Sequence, residues 1–283
     1  MTKAKQFRML LQADGPIMAP CAYDALSARM IEKAGFQMAG TTGYGMHGAM
    51  LGVPDNGLLA FNEMVEACTR MADAVSIPIM ADAEGGYGNA INTMRTIRAY
   101  EKAGIAGVFI EDQKLPPNCP FLKQTQTISV EEMCGKIRAA VDSRTDPDFV
   151  ICARTDAPFD EAVERAQAYL EAGADMIKIV PKTKDQLERL PKLVKAPLHL
   201  GFATGKEIND GMTAWDCGKL GYKIVSFPTT ALFLYTRSVM NGLRTLKEAG
   251  TDECFMADMS TFDEYLDIVE ADKFRKYDKE YLL

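Results

Sequence analysis

The sequence predicts an α/β protein of the (β/α)₈ TIM barrel class with a C-terminal helical arm, and two observations carry that prediction. One is a punctuation that recurs four times: an amphipathic helical stretch ends at a glycine and passes at once into a short β-rich run. It appears as EKAGFQMAGTTG (32–43), EKAGIAGVFIEDQ (101–113), EAGADMIKIVP (171–181) and GKLGYKIVSFP (218–228). The other is a set of four further apolar runs, GPIMAPC (15–21), IPIMADAE (77–84), DFVICARTD (148–156) and APLHLGF (196–202), which brings the strands to eight. Strands that alternate eight times with helices close into a parallel barrel more readily than they extend an open sheet.

The elements justify themselves in order. Gly35, Gly104, Gly173 and Gly221 fall where a helix must end in a left-handed residue before the chain turns into a strand. Helical periodicity fills the gaps, as in FNEMVEACTRMADAV (61–75), SVEEMCGKIRAAV (129–141) and FDEAVERAQAYLEAG (159–173). The second of these opens with a Ser129/Glu132 capping box. At 283 residues the length alone suggests about two domains, but α/β barrels of this size fold as one unit and no linker interrupts the pattern. Residues 1–283 are therefore expected to form one barrel domain, with 229–283 as its C-terminal helical segment. Within that segment STFDEYLDIVEADKFRKYDKEYLL reads as two short helices, either ordinary surface helices or an arm that packs on another subunit.

Composition narrows the function. The chain is 47% hydrophobic and 25% charged, enough for a large core, and its longest apolar runs fall short of a membrane span. A net charge of −7 without a basic stripe argues against nucleic acid and anionic membrane as partners, and for a small molecule or another subunit. Seven cysteines, at 21, 68, 119, 134, 152, 217 and 254, form neither a CxxC pair nor a disulfide framework. With an N-terminus that lacks a secretory pattern, they are expected to be reduced thiols of a cytoplasmic protein. His47 and His199 are far apart, so a histidine-rich zinc site is not expected.

In such a barrel chemistry collects where strands end. The ends offer Thr41, Thr42, Gly43 and Tyr44 after the second strand, Asp82 and Glu84 after the third, Glu111 and Asp112 after the fourth, and Arg154 and Asp156 after the fifth. Asp82 and Glu84 stand two apart and share a strand face, which Glu111 can join from the neighbouring strand. Three carboxylates at one mouth suit a hard cation, Mg²⁺ or Mn²⁺. The alternative is that they cap helices or pair with Arg95 or Arg98. The GGYG run (85–88) is either a loop turn or a short phosphate cradle. Between Asp112 and Ser129 lies a proline-rich loop of the length that lids have, and it carries Cys119 in PPNCPF. That thiol is either incidental or a proton donor.

Taken together, APCAYDALSARMIEKAGF (19–36), LGVPD (51–55), ADAEGGYGN (81–89), AGVFIEDQ (106–113), the stretch ending in CARTDA (152–157) and ERAQAYLEAGAD (164–175) resemble the isocitrate lyase/phosphoenolpyruvate mutase superfamily over nearly the whole chain. The resemblance is to its methylisocitrate lyase and dimethylmalate lyase branch. It implies a barrel that swaps its last helix between subunits of a homotetramer, a dimer of dimers. It implies Mg²⁺ on Asp82, with Glu84, Glu111 and Asp55 acting mainly through water. Thr42, Gly43 and Tyr44 would hold the 2-oxo acid portion of the substrate and Arg154 a carboxylate. Cys119 falls six residues after IEDQ, where lyases of this family carry the cysteine that acts as acid, and Tyr44 is the candidate base. The implied activity is Mg²⁺-dependent cleavage of a 2-hydroxy dicarboxylate into a 2-oxo acid and a second carboxylic acid. An oxaloacetate decarboxylase or hydrolase, a phosphonopyruvate enzyme, or a non-catalytic 2-oxo acid binder are the alternatives. The chain departs from the lyase pattern at Pro117, Pro120 and Phe121 in the loop and at Val180, Gly201 and Ala203 on strands six and seven. Lost polar contacts there predict a substrate with alkyl substituents or a small C4 acid; the residues able to compensate are Lys178, Lys182 and Lys123.

Overall fold

The structure is a computed structural model that describes residues 1–117, 119, 125–202, 204–209 and 211–282. Pro120, Phe121, Lys123 and Ala203, named above, lie outside the described residues. Eight parallel strands, β1 (Ile17–Ala22), β2 (Ala39–Thr41), β3 (Ile79–Asp82), β4 (Gly107–Glu111), β5 (Val150–Thr155), β6 (Met176–Ile179), β7 (Leu198–Gly201) and β8 (Tyr222–Phe227), close in sequence order into a barrel. The helices are α1 (Lys3–Gln12), α2 (Ala25–Lys33), α3 (Gly43–Leu51), α4 (Phe61–Ala74), α5 (Ala90–Lys102), α6 (Val130–Ser143), α7 (Phe159–Glu171), α8 (Lys184–Leu193), α9 (Ala214–Leu220), α10 (Thr230–Ala249), α11 (Phe262–Ile268) and α12 (Ala271–Tyr281). The four punctuating glycines adopt φ of 87, 78, 106 and 117°, the left-handed region that ends each helix without a Cβ clash.

Two layers of burial follow from the strand alternation. Outward-facing residues such as Ile79, Val108, Ile151 and Ile177 pack under the helices, while Ile17, Met38, Met80, Phe109, Cys152 and Met176 fill the lower barrel. Phe7 of α1 plugs the floor of that inner cluster and is fully buried. Helix α1 was not expected from the sequence. Its apolar residues are few, and its place is secured by Lys3 donating to the Val75 carbonyl and Arg8 pairing with Asp175 at 2.8 Å. Above the inner cluster the register is continuous from Glu111 to Arg154, to Lys178, to His199 across β4 to β7, so four charged or polar residues form one rung.

Three local expectations need comment. The capping box of α6 is half formed: Ser129 Oγ accepts from the Glu132 N–H at 3.2 Å, but the Glu132 carboxylate instead lies 3.9 Å from Lys136, a buried ammonium that draws it away. The loop turn read in GGYG is present, with Tyr87 and Gly86 at positive φ and Lys136 donating to the Gly85 carbonyl, and the segment does not line the cavity described below. The C-terminal segment contains the two short helices α11 and α12 after a longer α10. None of these three helices buries a residue, and α10 exposes Leu234, Tyr235 and Leu243 by more than half.

Candidate active site

The nine residues singled out for chemistry, Thr42, Gly43, Tyr44, Asp55, Asp82, Glu84, Glu111, Cys119 and Arg154, all line one cavity of about 390 Å³ at the C-terminal end of the barrel. Each is placed by a local reason. Asp82 ends β3 with its N–H on Thr41 Oγ1 and its carbonyl accepting from the Tyr100 hydroxyl, so the backbone is held on both sides. Its Oδ1 accepts from the Glu84 N–H at 3.0 Å and Oδ2 from the Gly43 N–H at 3.4 Å. Glu84 sits at φ 49°, a left-handed conformation that costs a non-glycine residue about 1 kcal/mol and turns its side chain back into the cavity. A Cβ on Gly43 would meet Asp82 Oδ2 and Glu84 Oε1 at 3.1 Å each, so glycine leaves a space where two carboxylate oxygens converge.

Thr42 caps α3 by accepting from the Gly45 N–H, and the Gly43 N–H at the start of that helix donates to Asp82, which turns the N-terminus of α3 toward the same space. The sequence gives no signal for this helix, because GYGMHGAML has glycines where a helix would show periodicity. Tyr44 stands edge-on to Phe233 of α10, centroids 6.4 Å apart. Arg154 is bound on both sides, to Glu111 Oε2 and Asp156 Oδ2 at 2.8 Å, while its Nε keeps no partner among the described residues. Asp112 faces away from the cavity: it accepts from the Tyr169 hydroxyl at 2.7 Å and pairs with Arg165 behind the barrel. Arg95, the suggested alternative partner of the carboxylates, instead covers the Phe61 ring.

The loop bearing Cys119 is closed at its base by a bridge between Gln113 and Thr127 and leans on the segment after α3, where Pro117 lies 2.9 Å from the position a Gly57 Cβ would take. The Cys119 N–H reaches the Asp55 carbonyl at 3.5 Å. Cys119 thereby joins the cavity wall beside Asp55.

The electrostatics ask for a cation. Burial, then the charges of Asp82, Glu111 and Asp55, raise the Glu84 carboxyl well above the usual range. Burial pushes Glu111 up to about 8 in spite of Arg154, and burial followed by Asp82 raises Asp55. Four acids that repel one another in a buried space could hold a divalent metal, which takes hard oxygen ligands. His47 also comes within 4.8 Å of Asp55 and Glu84. It is no ligand, because its Nδ1 donates to the Gly43 carbonyl at 2.8 Å and its Nε2 accepts from the Leu58 and Leu59 N–H groups at 3.1 and 3.2 Å. The fit is to carboxylates alone.

Closed barrel, carboxylate cluster and cysteine-bearing loop together define an acid-handling, metal-assisted barrel enzyme. The chain belongs to the phosphoenolpyruvate phosphomutase family, whose model matches residues 7–247, within the isocitrate lyase/phosphoenolpyruvate mutase superfamily. It is 39% identical to 2,3-dimethylmalate lyase of Eubacterium barkeri over 290 residues, covering 99% of each chain. Among solved structures it resembles an oxaloacetate acetylhydrolase bound to 3,3-difluorooxalacetate, with TM-score 0.92 and 27% identity over 99% of this chain and 97% of that one. It also resembles a phosphonopyruvate hydrolase bound to oxalate and Mg²⁺, with TM-score 0.90 and 29% identity over the full length of both.

Lys178, which the sequence offers only as a compensating residue, lines the cavity, as do His199, Ser226, Thr204, Lys206 and Thr229, to which the sequence gave no role. A signal existed: in MIKIV, alternation puts Lys178 on the inward face between Met176 and Val180, where a lysine is out of place unless it meets something. His47 gave none, since its two hydrogen bonds depend on a loop eleven residues away.

Proposed function

We propose that the protein is a Mg²⁺-dependent carbon–carbon lyase that cleaves a 2-hydroxy dicarboxylate of the dimethylmalate or methylisocitrate type. The observation that carries this reading is the meeting of the Asp82, Glu84, Glu111 and Asp55 carboxylates with a thiol, Cys119, across one cavity. Bound among those carboxylates, Mg²⁺ would supply Lewis-acid polarisation and a template for the 2-oxo acid half. Thr42, Gly43, Tyr44 and Arg154 orient that half. Tyr44 takes the C2 hydroxyl proton, the C2–C3 bond breaks, and its electron pair enters the departing acid as an enediolate. Cys119 then delivers its proton to C3. The cavity wall at Val180, Gly201 and Phe202 offers no charge to a third carboxylate, which favours alkyl substituents there. The exposed face of α10 to α12 supports a homo-oligomer, a dimer of dimers, in which these arms pack on a neighbouring copy. The cysteines, which form no disulfide among the described residues, suit a cytoplasmic setting.

The test is a Mg²⁺-supplemented panel of dimethylmalate, methylisocitrate, isocitrate, malate, oxaloacetate and phosphonopyruvate, read by release of 2-oxo acid and of acetate, CO₂ or phosphate. Dimethylmalate or a C4 acid should exceed methylisocitrate by at least about tenfold in kcat/KM. Chelation should abolish activity reversibly, and Asp82→Ala should abolish it with the fold intact. Acetate and oxalate from oxaloacetate, or phosphate from phosphonopyruvate, would give the reading to the corresponding hydrolase. Metal-dependent oxalate binding with no turnover of any compound would make the protein a 2-oxo acid binder.

A further inference from the structure

The cavity does not stop at the carboxylates. It continues into the barrel as far as Met80, Phe109 and Ile224, and Lys178 stands in this deeper part. The lysine is nine-tenths buried. Its Nζ lies 3.7 Å from the centre of the Phe109 ring, and among the described residues no carboxylate comes within ion-pair distance of it. That is an expensive arrangement. A buried ammonium is ordinarily paired or absent, and a ring face returns only part of the lost hydration. Arg154, its neighbour in register, already has Glu111 and Asp156. The three remaining acids of the site, Asp55, Asp82 and Glu84, cluster with one another, and of these Asp82 acts on Lys178 only through space. His199, next on the other side of the rung, leaves Nδ1 without a partner among the described residues and uses Nε2 on the Ser226 hydroxyl at 2.8 Å. One cation without an anion, beside an imidazole with a vacant nitrogen, in a cavity that handles acids, points to an anionic group brought by the ligand.

We propose that Lys178 binds the second carboxylate of the substrate, the one that leaves with the smaller acid, and so selects 1,4-dicarboxylates with a four-carbon backbone. The assignment rests on the lyase reading above and deepens it. Arg154 and Lys178 are register partners on adjacent strands, about 4.8 Å apart at the backbone, so a short dicarboxylate held at Arg154 has Lys178 as the neighbouring cation for its other end. The position also matches the chemistry. When C2–C3 breaks, the electron pair is delocalised onto this carboxylate, so its negative charge grows in the transition state and a fixed ammonium there acts more strongly on the transition state than on the ground state. Lys178 is thus both the specificity determinant and the electrostatic stabiliser of the leaving half, with His199 holding its flank.

The experiment compares, by calorimetry in Mg²⁺, the binding of malate, malate 4-monoamide and oxalate to the wild-type protein, Lys178→Met and Lys178→Arg. The wild type should prefer malate to its 4-amide by about tenfold to a hundredfold, the scale of one charged hydrogen-bonded contact. Lys178→Met should erase that preference, Lys178→Arg should keep part of it, and oxalate, which has no second half, should bind each variant within about threefold of wild type. Lys178→Met should melt no lower than wild type, since it removes an unpaired buried charge. A preference that survives in Lys178→Met, or is missing from the wild type, overturns the assignment. Failure of oxalate to bind alongside an intact, Lys178-dependent preference would count against the metal-held half alone and uphold Lys178.

Discussion

At the scale of single residues, two side chains of the site differ in what they risk. Cys119 sits on a loop that contributes little to the core, so Cys119→Ser should cut turnover by about two orders of magnitude while leaving the melting temperature unchanged, because a hydroxyl is nearly isosteric with a thiol but far less acidic. Turnover near the wild-type rate on the best substrate of the panel would make the thiol incidental. His47 is the opposite kind of residue. It ties the first turn of α3 to the Leu58–Leu59 backbone through both ring nitrogens and is fully buried. His47→Leu strands two N–H groups and the Gly43 carbonyl, at about 1–3 kcal/mol for each buried group left unmet. A clear fall in the urea midpoint should therefore accompany weaker oxalate binding, since Gly43 belongs to the cavity wall. An unchanged midpoint would mean that water replaces the imidazole.

At the scale of elements, the strands are rigid supports and the connections carry the differences. The rung from Glu111 to His199 is fixed by the strand register, whereas Asp55 and Cys119 come from two irregular segments that meet where Pro117 packs over Gly57 and the Cys119 N–H reaches the Asp55 carbonyl. The start of the C-terminal segment packs on the barrel through Ala231, Leu232 and Phe233, whereas α11 and α12 are tied to it by the ion pairs Arg29 with Glu270 at 2.8 Å and Lys33 with Asp267 at 2.9 Å, the second of them exposed and worth little in water. Removing residues 251–283 should lower the oligomeric state measured by analytical ultracentrifugation while circular dichroism keeps the barrel signal. An unchanged sedimentation coefficient per mass would remove the arm from the interface.

At the scale of the whole molecule, the barrel interior behaves as one low-dielectric compartment. Burial pushes the Cys21 and Cys152 thiols from the ordinary value of 9.0 up to about 12, with Lys178 opposing the shift in each. For an acid whose folded value is raised, the native state holds its proton longer than the unfolded chain does, so stability is intact below about 9 and declines as pH rises toward about 12. Urea midpoints measured across that window should fall, and less steeply in a Cys21→Ala/Cys152→Ala protein. A decline of equal slope in both would assign the alkaline loss to other groups.

What the sequence determined by itself was everything with a period or a fixed offset. Strand alternation and the four helix-ending glycines specified the barrel, but the shared strand face expected for Asp82 and Glu84 is not the reason they meet, since β3 ends at Asp82 and a left-handed backbone turns Glu84 into the cavity. Positions such as Glu111 and Arg154 were legible because strand ends in a parallel barrel converge on one rim. Helices α1 and α3 were not legible, since one has too short an apolar stripe and the other is held by a Thr42 cap and by His47 rather than by propensity. Only the tertiary structure decided which polar residues turn inward together. Lys178 and His199 are 21 positions apart and share no motif, yet the β6–β7 register makes them neighbours in the same cavity. Charge on a buried strand acquires a meaning only once its partners, or the lack of them, are known, and those are set by closure of the sheet rather than by anything local in the chain.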